Sequence, residues 1–305
     1  PYYIADRSSQ QRSLVFRRDQ AYDFLRSQIP GRDGLVTIRI RELPRFEKSG
    51  HSTCLKDGSV LIEVIPGTFD SLIRMHLVPG TYLTDRRGQV IQSTIRSYDK
   101  CCRIKADTME FIEATEAGLT SELCQDYIRE IARITTYMAD KLTEPRLEWT
   151  ISDNELILFD LSFERQPLSL SEGNITILSR GDFQGSVFLM PDISILTSVC
   201  SLHTVSVVPD TAFYEARNSA TVRDFLNELK RTGGKPVVVA KQPLTELALI
   251  TDSVSAFIFE EGSLLCHLGI ILREKGIPAV FLNRALSVLH NGTKVICLNG
   301  ELQVL

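Results

Sequence analysis

The sequence predicts an α/β (α+β) protein built in two unlike parts, and three observations carry that expectation. Residues 33–163 are rich in β-branched runs broken by glycines and hold one long amphipathic helix. From about residue 180 onward, short apolar strands alternate with helices. Between them, "ERQPLSLSEGN" (164–174) has the Pro, Ser and Gly content of an interdomain connection. A chain of 305 residues is too long for one small core. The expected division is residues 1–165, a linker over 166–180, and residues 181–305.

In the first part, "DGLVTIRIREL" (33–43), "VLIEVIP" (60–66) and "QVIQSTIRSY" (89–98) read as strands. Gly50, Gly58, Gly67, Pro79-Gly80 and Gly88 mark the turns. "SELCQDYIREIARITTYMADKL" (121–142) places Leu123, Tyr127, Ile131, Ile134, Met138 and Leu142 at helical spacing, with Ser121 as the expected N-cap and Pro145 closing the helical stretch. "RLEWTISDNELILFDLSF" (146–163) reads as a hairpin turning at Ser152-Asp153-Asn154. In the second part, strands are expected at 185–190, 236–240 and 255–260, and helices at 219–234 and 243–251. A further helix follows His267, and "PAVFL" and "TKVICL" are the last strands.

Hydrophobic content of 43%, charged content of 24% and a net charge of −4 are those of an ordinary globular protein. They give no reason to expect nucleic acid or an acidic membrane surface as partner. The arginines of residues 1–46 are interleaved with Asp and Glu, a solvated mixed-charge pattern. Seven cysteines without regular spacing read as reduced thiols rather than a disulfide framework. No apolar run reaches the roughly 18 residues of a membrane span, and no signal peptide opens the chain, so a cytoplasmic protein is expected. The first residue is Pro1, which reads as the C-terminal part of something longer. No Gly-x-Ser-x-Gly elbow and no Gly-x-x-x-x-Gly-Lys-[Ser/Thr] loop occurs. His51, His76, His203 and His290 lack metal-site spacing and are expected as surface or packing residues.

The segment with chemical character is "EEGSLLCHLGIILREKGIPAV" (260–280). A strand runs into Gly262-Ser263, and a helix begins near His267. A loop feeding a helix N-terminus offers unpaired N–H groups and the positive end of the dipole, which favours an anion such as phosphate. The same field disfavours protonation of a nearby imidazole and leaves a nitrogen lone pair available for nucleophilic attack. From these residues alone, a histidine satisfied by backbone at a helix start is the competing reading.

This segment resembles the phosphohistidine segment of the swivelling domain in phosphoenolpyruvate-utilising enzymes, the family of phosphoenolpyruvate synthase, pyruvate phosphate dikinase and rifampicin phosphotransferase. Gly262, Cys266, His267, Arg273-Glu274 and Gly276-Ile277-Pro278-Ala279-Val280 match the family's pattern, and the likeness spans roughly 180–305. Ser263 stands where the family has a second glycine, and Leu268 where it has a small residue. Residues 34–163 are similar, in order of elements, to the C-terminal half of the ATP-grasp domain that charges this histidine. "EKSG" (47–50), "VLIEVIPG" (60–67), "HLVPGTYLTDRRGQ" (76–89) and the Glu148-Trp149 pair carry that likeness.

The resemblance implies an ATP-grasp-like subdomain followed by a swivelling β/β/α phosphohistidine domain. It implies ATP-dependent phosphoryl transfer through His267 to a small-molecule acceptor, with Gly262, Ser263 and Cys266 lining a phosphate-binding loop. Glu148 aligns with the family's metal-binding Glu, and Asp160 stands where the family has Gln; both are the expected Mg²⁺ ligands. Glu63 and Arg7, the latter in "DRSSQQR" (6–12), are the expected nucleotide-binding residues, with ATP and Mg²⁺ as cofactors. Ser162 replaces an arginine that contacts the transferring phosphates, and a serine cannot supply a bidentate, permanent charge. The nucleotide-binding first half of ATP-grasp is mostly absent. The alternative is therefore a degenerate or split family member, a phosphocarrier or interaction module charged by a partner chain that supplies the missing half.

Overall fold

The computed structural model describes residues 2–6, 13–16, 38–42, 44–73, 75–105, 110–163, 175–190, 192–197, 219–231 and 234–305. Arg7 lies outside the described residues. Strands β1 (Tyr2–Asp6), β2 (Ser13–Phe16) and β3 (Ile38–Glu42) form a small sheet in the order β2-β1-β3.

The next sheet is six-stranded and antiparallel, in the order β11-β10-β4-β5-β6-β7. Its strands are β4 (Lys48–Cys54), β5 (Val60–Pro66), β6 (Gly80–Thr84), β7 (Val90–Thr94), β10 (Pro145–Ser152) and β11 (Glu155–Phe163). A short helix α1 (Asp70–Ile73) follows β5, and β8 (Ser97–Lys105) and β9 (Glu110–Thr120) form a separate hairpin. Strand side chains alternate between faces, and here one face is apolar. Val60, Ile62, Val64, Trp149 and Ile151 pack against Ile128, Ile131 and Ala132 of α2 (Gln125–Ala139). Gly50 allows this approach, because a Cβ there would lie 2.1 Å from the Glu63 carbonyl oxygen and 2.3 Å from the Trp149 ring.

Two local expectations change. Helix α2 starts at Gln125 and not at Ser121, with Cys124 at the N-cap. Ser121 is instead held by the chain at Arg96, its backbone N–H donating to the Arg96 carbonyl (2.9 Å) and its Oγ accepting from the Arg96 N–H (2.8 Å). That exchange also divides 89–98 into the end of β7 and the start of β8. The 146–163 hairpin forms as expected, and Asp153 and Asn154 take φ of 51° and 63°, the left-handed pair that a two-residue turn needs.

The C-terminal sheet is seven-stranded, in the order β12-β16-β15-β14-β13-β17-β18. Strands β13 (Phe183–Met190), β14 (Val237–Ala240), β15 (Ala256–Phe259) and β16 (Ala279–Leu282) run parallel. Strands β12 (Ile175–Ser179), β17 (Lys294–Leu298) and β18 (Glu301–Val304) extend the sheet with antiparallel pairings. Strands β14 and β15 are buried along their whole length, as parallel strands covered on both faces must be. One face carries α3 (Ser194–Thr197), α4 (Ala220–Lys230), a 3₁₀ segment (Thr245–Ser253) and α5 (His267–Lys275); α6 (Ala285–Val288) packs on the other. Residues 175–179, expected within the linker, are a strand instead, because Ile175 and Leu178 each join one of the two cores.

The two parts touch. Leu55 and Leu61 from the six-stranded sheet are buried in the same cluster as Leu178, Phe259, Leu264 and Leu268, and Leu83 packs against it. The face of that sheet opposite α2 is therefore the one that meets the C-terminal part.

Candidate functional site

Strand β15 delivers the chain into residues 260–266, and His267 is the first residue of α5. Cys266 caps the helix, its Sγ accepting from the Gly269 N–H at 3.3 Å. Gly262 has φ of 149°, and a Cβ there would sit 2.4 Å from Cδ of Pro243, so the loop needs glycine at that point. Ser263, Leu264 and Leu265 are buried.

What buries them is the six-stranded sheet. Cα register places Glu63 opposite His51, His51 opposite Glu148, and Glu148 opposite Asp160. Directly opposed residues share a face, so the four form a row across β5, β4, β10 and β11 on the face that meets the C-terminal part. Arg146 and Ser162 are the next opposed pair on that face. Glu63 accepts from Ser263 Oγ (2.5 Å) and from the Leu264 N–H (2.7 Å). Arg146 donates through Nη1 to the Leu265 carbonyl (2.7 Å) and through Nε to Ser162 Oγ (2.9 Å), and its Nη2 lies 3.4 Å from Oε1 of Glu148. His51 Nε2 stands 3.6 Å from the same Glu148 oxygen.

The electrostatics follow from burial and this company. Burial, helped by the Arg146 charge and opposed by Glu148, lowers the His267 pKa to about 4, so the imidazole is neutral near pH 7. Its Nδ1 is buried without a hydrogen-bond partner. Burial works against ionisation of Glu148, but the hydrogen bond and charge of His51, with Arg146 and His267, outweigh it and hold the carboxyl at about 2. Burial pushes the Glu63 carboxyl up, and the Ser263 hydrogen bond offsets part of that. Burial also raises Cys266 to about 11, so this thiol stays protonated beside the histidine.

Of the residues singled out in the sequence, the structure brings together Glu63, Glu148, Gly262, Ser263, Cys266 and His267, with Asp160 exposed at the far end of the row. Glu63 is taken up by the histidine loop. Two residues were missed. Arg146 is 3% exposed at the centre of the contact, and His51, expected as a packing or surface residue, sits between two carboxylates. Only strand register reveals them, and register is a property of pairing that a one-residue slip would undo.

Among the described residues no three His, Cys, Asp or Glu groups gather as a metal set. Glu148 and Asp160 are opposed, but the Glu148 carboxylate already faces a guanidinium and an imidazole. A cation in contact with Glu148 would meet the positive Arg146 first, so the pair does not form a Mg²⁺ site in this docked arrangement.

A family model described as the mobile domain of PEP-utilising enzymes matches residues 233–302. That segment, which contains His267, is therefore a mobile domain of the PEP-utilising type, and the fold around it is a mixed α/β arrangement of sheets with few helices. No curated protein matches the chain. Among the described residues no helix is long and apolar enough to cross a membrane.

Proposed function

We propose that the chain is an ATP-dependent, dikinase-like phosphotransferase that carries a phosphoryl group on His267 between an ATP-grasp-like site on its strand-rich part and a small-molecule acceptor. The observation that carries this reading is a neutral His267 at the first turn of α5, inside the matched mobile domain and seated against the Glu63–His51–Glu148 row. In the transfer, an imidazole lone pair attacks phosphorus. The N–P bond forms as the P–O bond to the leaving group breaks, and the departing oxygen keeps that electron pair. Neutrality matters because a protonated imidazole has no lone pair to give. In such transfers positioning and charge neutralisation supply most of the rate. ATP and Mg²⁺ are implied by the family; the Glu148–Asp160 pair does not hold the metal in this arrangement.

One observation favours a second reading. Ser162 accepts a hydrogen bond from Arg146 and offers no charge, so the sheet lacks the family's phosphate-contacting arginine at that position. On this reading the chain is a phosphocarrier or interaction module charged by a partner chain. The test is incubation of the whole polypeptide with Mg²⁺ and either γ- or β-labelled ATP, or labelled phosphoenolpyruvate. Acid-labile, base-stable label on His267, lost in His267→Ala, is expected. Label that appears only when cell extract is added as a source of the charging partner selects the carrier reading, and no label from any donor with extract present refutes phosphotransfer.

A further inference from the structure

Arg146 is a buried cation on the sheet face that meets the histidine loop, 3% exposed and two residues before Glu148 on β10. Its guanidinium is held on three sides. Nε donates to Ser162 Oγ (2.9 Å), Nη1 donates to the Leu265 carbonyl (2.7 Å), and Nη2 lies 3.4 Å from Glu148 Oε1. Leu265 is two residues before His267, so the fork is anchored close to the imidazole. Of the charged groups around His267, Arg146 acts on it most strongly, ahead of Glu148 and His51, as a nearby charge must. A second buried arginine, Arg273 of α5, braces the same loop from within the C-terminal part. Its Nη1 donates to the Leu178 carbonyl (3.0 Å) and lies 3.4 Å from the Leu264 carbonyl. Arg273 therefore shapes the loop, whereas Arg146 comes to it from the opposing sheet.

A buried guanidinium is costly unless its N–H groups find acceptors. Its contacts to Leu265 and Ser162 are short, but the one to Glu148 is at the outer limit of a hydrogen bond. Water reaches this part of the row, since the Glu148 side chain is 18% exposed and His267 is partly exposed. A phosphoryl group arriving at the imidazole there carries close to two negative charges. The Glu148 carboxylate repels it and the Arg146 guanidinium attracts it. A lysine would offer a point charge, while arginine offers a planar, permanently charged fork that matches phosphate oxygens. Ser162, opposed to Arg146 in the register, brings no charge to this place from β11.

We propose that Arg146 is the residue that contacts the phosphoryl group on its way to His267, supplying from β10 the charge that Ser162 lacks on β11. The identity of the anion rests on the phosphotransfer reading. Arg146 stays protonated throughout and exchanges no proton. As the bond from the imidazole nitrogen to phosphorus forms and the phosphorus–oxygen bond to the donor breaks, the leaving oxygen keeps the electron pair. The guanidinium meanwhile turns its Nη2 edge from Glu148 to a phosphoryl oxygen.

The test adds inorganic phosphate to the full chain at constant ionic strength and follows the His267 imidazole resonance, assigned by its loss in His267→Gln. Phosphate should shift it saturably in the wild type. Arg146→Met should weaken that binding by about tenfold or more. Arg146→Lys, which keeps the charge without the fork, should weaken it by a smaller factor. Exchanging the pair, Arg146→Ser with Ser162→Arg, should recover most of the affinity. Urea unfolding followed by Trp149 fluorescence shows which variants are folded; where Arg146→Met is not, Arg146→Lys and the exchanged pair decide. A purely structural arginine would lower the urea midpoint and leave phosphate affinity unchanged. No saturable shift in the wild type, wild-type affinity in a folded Arg146→Met or Arg146→Lys, or no recovery in a folded exchanged pair overturns the proposal. If phosphate binds as expected and no donor labels His267, the phosphotransfer reading fails and the anion contact stands.

Discussion

His267 sets its own chemistry through where it is placed. Its imidazole is neutral because it is enclosed, beside Arg146 and despite Glu148. In the unfolded chain it would take a proton near pH 6.5, whereas the folded value is about 4. The unfolded state therefore binds more protons between these values, and stability is complete above pH 6.5 and lost as pH falls towards 4. Urea midpoints of wild type and His267→Gln should keep a constant offset above pH 6.5, and the wild type should fall relative to His267→Gln as pH drops towards 4. A direct NMR titration of His267 should find its midpoint near 4. Cys266 stays a thiol at neutral pH, so alkylating reagents should modify the exposed Cys124 well before it.

At the scale of elements, the hairpin β10–β11 joins the hydrophobic core to the site. Trp149 faces α2 and its neighbour Glu148 faces the histidine loop, as strand alternation requires. The close passage of the Trp149 ring over Gly50 is what allows β4 to lie between them. Gly50→Ala should destabilise the sheet by about 1–3 kcal/mol, because the added methyl meets a backbone carbonyl that cannot move aside. Trp149 is the only tryptophan, so its fluorescence during urea unfolding measures that loss. Much of this was legible in the sequence, since the turn residues and the alternation of 146–163 specify a hairpin. The start of α2 was not, because Ser121 is a good cap in isolation and only its contact with Arg96 takes it out of the helix.

At the scale of the whole molecule, the contact between the parts has an apolar component and a polar one. Leu61 is 3% exposed within the cluster that spans both parts. Leu61→Ala should cost roughly 2–5 kcal/mol and should separate calorimetric unfolding into two transitions, since it weakens the joining core without touching either sheet's pairing. A single unshifted transition would show that Leu61 does not couple them. The polar component is the set of hydrogen bonds from Glu63 and Arg146 to Ser263, Leu264 and Leu265.

The segment 260–280 alone determined the loop and the helix start, and it singled out His267. Those features are local: a glycine in a strained position, a cap and a helical period. The alternation of 146–163 likewise fixed the hairpin that carries Glu148. Only the tertiary structure decided that His51 and Arg146 belong to the site, that Glu63 holds the loop, and that Glu148 is engaged by Arg146 and His51. These depend on strand register and on one sheet face meeting another part of the chain, and neither leaves a periodic trace in the order of residues.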